Sequence, residues 1–113
     1  MSVEVPIDQL FSELHEWGAG FLTTVSDDGR SRFVSICPTV AEQAGNRTLR
    51  FARAGRTASA NAAARPNVSI VFPPHAGSAG YSMIVDGLAS VDAGDDNSVH
   101  VRPTWAVLHR PAP

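Results

Sequence analysis

The chain contains no lysine. That excludes Schiff-base chemistry through a side-chain amine and any phosphate loop built around a lysine. Every cationic side chain is an arginine, whose planar five-donor fork suits bidentate contact with phosphate or carboxylate. Cysteine is nearly as scarce. Cys37 is the only one, which excludes an intrachain disulfide and a thiolate metal cluster. It sits in an apolar run, so it reads as a buried, inert thiol rather than a nucleophile. No apolar run approaches the ~20 residues needed to cross a bilayer. The start, MSVEVPIDQL, lacks the basic-then-apolar layout of a signal peptide, so the expected location is the cytoplasm. Aromatic residues make up 7% and the net charge is −2, which argues against a nucleic-acid surface. The four histidines show no metal-ligand spacing, Asp95 and Asp96 read as a solvated turn rather than a calcium loop, and no Ser-His-Asp or paired-carboxylate set stands out. No metal is expected. Catalysis, if any, must come from a cofactor that the protein positions.

What remains is enough for one domain, residues 1–113, with 43% hydrophobic residues. A domain of this size buries roughly 65% of the surface its unfolded chain exposes. Residues 6–17 predict an amphipathic helix. Pro6 suits its first position, Ile7, Leu10, Phe11, Leu14 and Trp17 follow the i, i+3, i+4, i+7 spacing, and Gly18 and Gly20 stop it. Gly18-Ala19-Gly20 follows a helix and precedes a strand, the reverse of a dinucleotide fingerprint. Residues 20–25 predict a buried strand, Asp28-Gly29 a hairpin turn, and residues 32–40 the returning strand, with Pro38 marking a bulge or an edge. Residues 41–46 predict a polar turn and residues 48–53 a third strand. Residues 56–65 hold five alanines in ten positions and predict a helix that Pro66 ends. Further strands are expected at 68–72, 81–92 (with a bulge or kink at Gly87) and 99–109 (interrupted by Pro103), and the closing PAP is expected to fray. Residues 73–80, PPHAGSAG, read as a loop, where His75 is the one histidine considered as a substrate contact. The fold class expected is mainly β (α+β): a six-stranded antiparallel split β-barrel with an N-terminal helix and one short helix between strands 3 and 4. Barrel closure would hide sheet edges that so short a chain cannot otherwise cover.

The run from Arg47 to Arg65, RTLRFARAGRTASANAAAR, holds five arginines and no acidic residue. It reads as strand, glycine turn and helix. The first N–H groups of a helix lack internal partners and carry the positive end of its dipole. Arginines delivered to that point make a place for an anion, a phosphate-bearing ligand above all. The competing reading is a basic edge strand charged to block aggregation. By the period-two rule Arg47 and Arg53 share a face with Leu49 and Phe51.

The order of these pieces resembles the pyridoxamine 5′-phosphate oxidase-like split β-barrels that bind FMN. The matching segments are GFLTTVSDDGR, LRFARAGRTASANAAARPNVSIVF and YSMIVDGLASV, covering roughly residues 7–92. Asn61 and Arg65-Pro66 fall where the family carries an asparagine and a closing Asn-Pro, and Val85-Asp86-Gly87 fits its Val-Glu-Gly or Val-Asp-Gly. The resemblance implies a homodimer with flavin sites at the subunit interface, acting on a small organic substrate. It implies phosphate contacts from Val34, from Phe51 and Ala52, and from Thr57 and Ala58, with Ser82 near the flavin ring. The oxidase itself has an arginine where Val34 stands, another at Thr57 and a lysine at Ala58. Each such contact contributes ~1.5–3 kcal/mol, so true pyridoxamine-phosphate oxidase activity is not expected. Arg53 and Arg56 are the nearby arginines able to restore part of the grip. The cofactor implied is FMN, with a deazaflavin coenzyme, or a cofactor-free dimeric binding module, as the open alternatives.

Overall fold

Proline and glycine positions divide this chain into short antiparallel strands, and the longest of them organises the rest. A computed structural model describes residues 1–92, 94 and 96–112. The elements are β1 (Ser2–Glu4), α1 (Ile7–Glu13), a 3₁₀ turn (Leu14–Glu16), β2 (Gly20–Val25), β3 (Ser31–Ile36), β4 (Thr39–Gln43), β5 (Asn46–Phe51), α2 (Arg56–Ala64), β6 (Asn67–Phe72), β7 (Ser82–Ser90) and β8 (Val99–His109). Hydrogen bonding orders the strands β3-β2-β6-β7-β8-β5-β4, with β1 added on β8. β8 pairs along one edge with β7. Its other edge takes β5 at residues 99–101 and β1 at residues 107–109. The ends of the order, β3 and β4, are neighbours in sequence yet unpaired in the sheet, and the sheet is a split half-barrel with two helices.

Among the described residues the strand count is eight rather than six. The expected strand at 32–40 divides at Cys37-Pro38, because proline offers no N–H to a ladder. Pairing with β2 stops at Ile36, opposite Gly20, and the chain crosses to β4, which pairs with β5 instead. Ala44 and Gly45, at φ 51° and 81°, form the two-residue turn of that hairpin, a primed turn matched to strand twist. Most of the expected 41–46 turn is therefore strand. Cys37, expected to be buried, is exposed at the crossover. β1 forms because β8 presents a free edge there, a signal absent from its three residues. β5 lies between β4 and β8, so its arginines do not guard an edge. His109, the end of the expected 99–109 strand, is the last residue of β8, with Nδ1 3.0 Å from the Ser2 hydroxyl. Asp95 lies outside the described residues, as do Ala93 and Pro113.

The inward positions follow the period-two rule. Leu22, Leu49, Phe51, Ile70, Phe72, Met83, Val85 and Val101 are buried, joined by Leu10 and Phe11 of α1 and Leu14 of the 3₁₀ turn. Ala58 and Ala62 let α2 lie close on this core. The bulge expected at Gly87 is present, between Asp86 and Gly87 and opposite Pro103. A Cβ at Gly87 would fall 2.5 Å from Val101 Cγ1 and 2.7 Å from the Arg102 carbonyl oxygen, so only glycine fits. Among the described residues no helix is long and apolar enough to cross a membrane.

Candidate functional site

β5 ends at Phe51, and α2 begins at Arg56 after four intervening residues. Arg53 adopts φ 53°, and Gly55 φ 101° with ψ 163°, a region that essentially only glycine enters. Because the residue before α2 is glycine, no side chain caps the helix, and its first turn holds no acid. The first internal bond runs from Ser59 N–H to the Gly55 carbonyl at 3.0 Å. The N–H groups of Arg56, Thr57 and Ala58 precede it and lack a helical acceptor.

This helix start forms one wall of a cleft of about 340 Å³. Ala54, Gly55, Arg56, Thr57 and Ala58 line that wall, and the β2–β3 hairpin supplies the other through Leu22, Thr24, Arg32, Phe33 and Val34. Cross-links fix the spacing between the walls. Asn61 Nδ2 donates to Thr24 Oγ1 at 3.2 Å, Arg65 Nε to the Val25 carbonyl at 2.6 Å, and Arg65 Nη2 to Asp27 at 2.9 Å. The lining thus combines arginine and backbone donors without a partner among the described residues with the apolar Leu22, Phe33, Val34 and Ala54. An anionic group and an attached flat apolar body could both be accommodated.

The five arginines of the 47–65 run have separate fates. Arg47 bonds Asp8 at 2.8 Å and lies 4.5 Å over the Phe11 ring. Arg50 donates to Ser98 Oγ at 3.1 Å. Arg53 is 84% exposed and pairs with Asp96 at 3.1 Å. Arg65 braces α2 against the hairpin. Arg56 alone of the five lines the cleft, and no ion pair among the described residues engages it.

Of the positions expected to form the site, the structure brings together Val34, Arg56, Thr57 and Ala58. Phe51 is fully buried in the core, and Ala52 and Arg53 do not line the cleft. Arg53 leaves the strand alternation because its backbone turns left-handed. Ser82 stands at the start of β7, opposite His109, on the sheet face away from Met83 and Leu22. His75 also lies elsewhere. Its ring packs edge-on with Trp17, 4.6 Å between centroids, and Nδ1 accepts the Gly77 N–H at 3.2 Å.

Arg32 was not anticipated. It lies two residues before Val34, and the alternation of the hairpin, set by the Asp28-Gly29 turn, is the signal that could have found it. Its Nη2 is 3.6 Å from Asp28 Oδ2. The Asp28 carboxyl is held below its usual range, first by the Ser26 hydroxyl and then by the Arg30 N–H, with Arg32's charge adding a smaller push.

Sheet order and α2 placement define the fold as a split β-barrel. Solved structures agree on the fold. The FAD-binding protein from Mycobacterium smegmatis superposes with a TM-score of 0.66 at 24% identity, over 95% of this chain and 97% of that one. An F420 reductase gives 0.61 at 21%, over 84% and 93%. The heme storage protein HutZ from Vibrio cholerae gives 0.56 at 14%, over 88% and 91%. No family model matches the chain. The uncharacterized proteins Mb0449c of Mycobacterium bovis and MT0457 of Mycobacterium tuberculosis are each 32% identical over 118 residues, spanning 96% of this chain and 82% of theirs. The chain belongs to the family of these mycobacterial proteins.

Proposed function

We propose that this protein binds a phosphate-bearing flavin in the α2 cleft and serves as a flavin-dependent oxidoreductase toward a small organic substrate. The observation that carries the reading is the uncapped start of α2, with Arg56 beside it, facing an apolar wall. The donor set fits the group. Three backbone N–H groups, the Thr57 hydroxyl and arginine side chains suit a terminal phosphate, while Leu22, Val34 and Phe33 suit the edge of a flat ring. When bound, a flavin or deazaflavin would supply hydride or electron transfer. The protein's share is binding, orientation and exclusion of water. FMN is the preferred form because its phosphate is terminal.

A homodimer in the cytoplasm, built from a single 1–113 unit, belongs to the same proposal. Phe21, Phe33 and Trp105 are each at least 40% exposed, and they share the outward face of β2, β3 and β8, an apolar surface suited to a second copy. Pyridoxamine-phosphate oxidase activity is not part of the proposal, since Val34, Thr57 and Ala58 carry no charge. Heme, which some fold neighbours bind by name, has no support at this cleft: none of its lining residues is His, Cys, Met or Tyr, the side chains able to ligate the iron.

The test is titration of the purified protein with FMN and, in parallel, with a deazaflavin coenzyme, followed by flavin fluorescence and visible absorbance. Saturable quenching in the micromolar range is expected. Absence of binding by either compound removes this reading in favour of a cofactor-free module, whose melting temperature no flavin would raise.

A further inference from the structure

We infer that Arg32 is the phosphate-recognising residue on the hairpin wall, taking the role that Val34 cannot fill, and that the anion it selects is a phosphate monoester. The inference rests on the flavin reading above. Arg32 and Val34 are two residues apart on β3, so they face the same side of the sheet, about 6.6–6.8 Å apart along the strand. An extended arginine side chain covers that distance. Val34 therefore leaves space that the Arg32 guanidinium can enter. Both residues line the cleft, and β3 is the last strand of the sheet on that side.

Arg32's present partner is weak. At 3.6 Å the contact with Asp28 is longer than a charge-assisted hydrogen bond, and both side chains are about half exposed. Asp28 is already satisfied by the Ser26 hydroxyl and the Arg30 N–H, so release of Arg32 leaves no carboxylate without partners. Across the cleft stand Arg56 and the open amides of α2. Cationic forks on two opposed walls need a ligand with acceptor oxygens pointing both ways. A terminal phosphate has three, whereas the bridging phosphates of a dinucleotide have only two free oxygens each. Asp28 then acts as a built-in competitor, holding Arg32 until a stronger anion arrives.

The experiment compares FMN with riboflavin, which lacks the phosphate, on the wild-type protein and on Arg32→Gln, Asp28→Asn and Arg30→Gln. Arg32→Gln is expected to weaken FMN at least about tenfold and to leave riboflavin unchanged. Asp28→Asn keeps the turn's hydrogen bonds and is expected to tighten FMN by removing the competitor. Arg30, which does not line the cleft, serves as the control, with FMN affinity within about twofold of wild type. Equal FMN affinity in wild type and Arg32→Gln overturns the assignment. So does a parallel loss of riboflavin affinity, which would mean that Arg32 only shapes the hairpin; unchanged melting of each variant guards the comparison. Wild-type protein that binds no FMN overturns the flavin reading itself, a result distinct from these.

Discussion

Arg56 sits beside three amides that have no partner among the described residues, in a helix whose first turn contains no acidic residue, and this gives its charge a role that Arg47, Arg50, Arg53 and Arg65 do not share. Arg56→Gln is expected to weaken FMN by about ten- to a hundredfold, the worth of one charge-assisted contact, without lowering the melting temperature. Isothermal titration and thermal unfolding measured together check both halves. Asp28 offers a second test at this scale. Its folded pKa lies below the ordinary 3.8, so its contribution to stability is complete above that value and fades as pH falls through the folded one. A carboxyl-carbon NMR titration should place its midpoint below 3.8, and Asp28→Asn should flatten the stability change over that acid range. Thr57 and Ala58 were named through the family resemblance, and both line the cleft at the start of α2. That Arg53 leaves the cleft was not legible, since a left-handed backbone at that residue cancels strand alternation and sequence does not announce it.

The turn between β5 and α2 decides whether the amides face the cleft. Gly55 holds φ 101° with nothing within 4 Å of a would-be Cβ, so substitution costs backbone strain rather than a clash. Gly55→Ala is expected to destabilise the fold by about 1–3 kcal/mol and to weaken FMN as the helix start reorients. Denaturant unfolding measures the first effect and fluorescence titration the second. Among the elements, both helices, the β2–β3 hairpin and the Gly87 bulge could be read from periodicity and turn residues. β4 could not. Its pairing with β5 depends on Pro38 breaking a run that otherwise alternates as one strand, and proline marks the break without saying where the chain goes next. β1 was equally hidden, because an edge offered by β8 at residues 107–109 exists only after the sheet has formed.

For the molecule as a whole, the curled sheet leaves β3 and β4 as unpaired ends, and Phe33, on the former, is 62% exposed. Such an edge beside apolar side chains calls for a cover. Sedimentation equilibrium is expected to give twice the 12.0 kDa chain mass, and Trp105→Ser with Phe21→Ser is expected to shift it toward one. A monomer at high concentration would leave the homodimer without basis. The class of fold was legible because the order of strand, turn and helix survives even where strand boundaries move. The far wall of the cleft was not, since Arg32 and Arg56 are 24 positions apart and only the folded chain brings them to one space.

The central claim concerns the amides at the start of α2, and backbone NMR observes them directly. On addition of FMN, the ¹⁵N–¹H signals of Arg56, Thr57 and Ala58 are predicted to shift together and saturate, while riboflavin moves them far less. Shifts confined to other surfaces, or none at saturating FMN, would contradict the account.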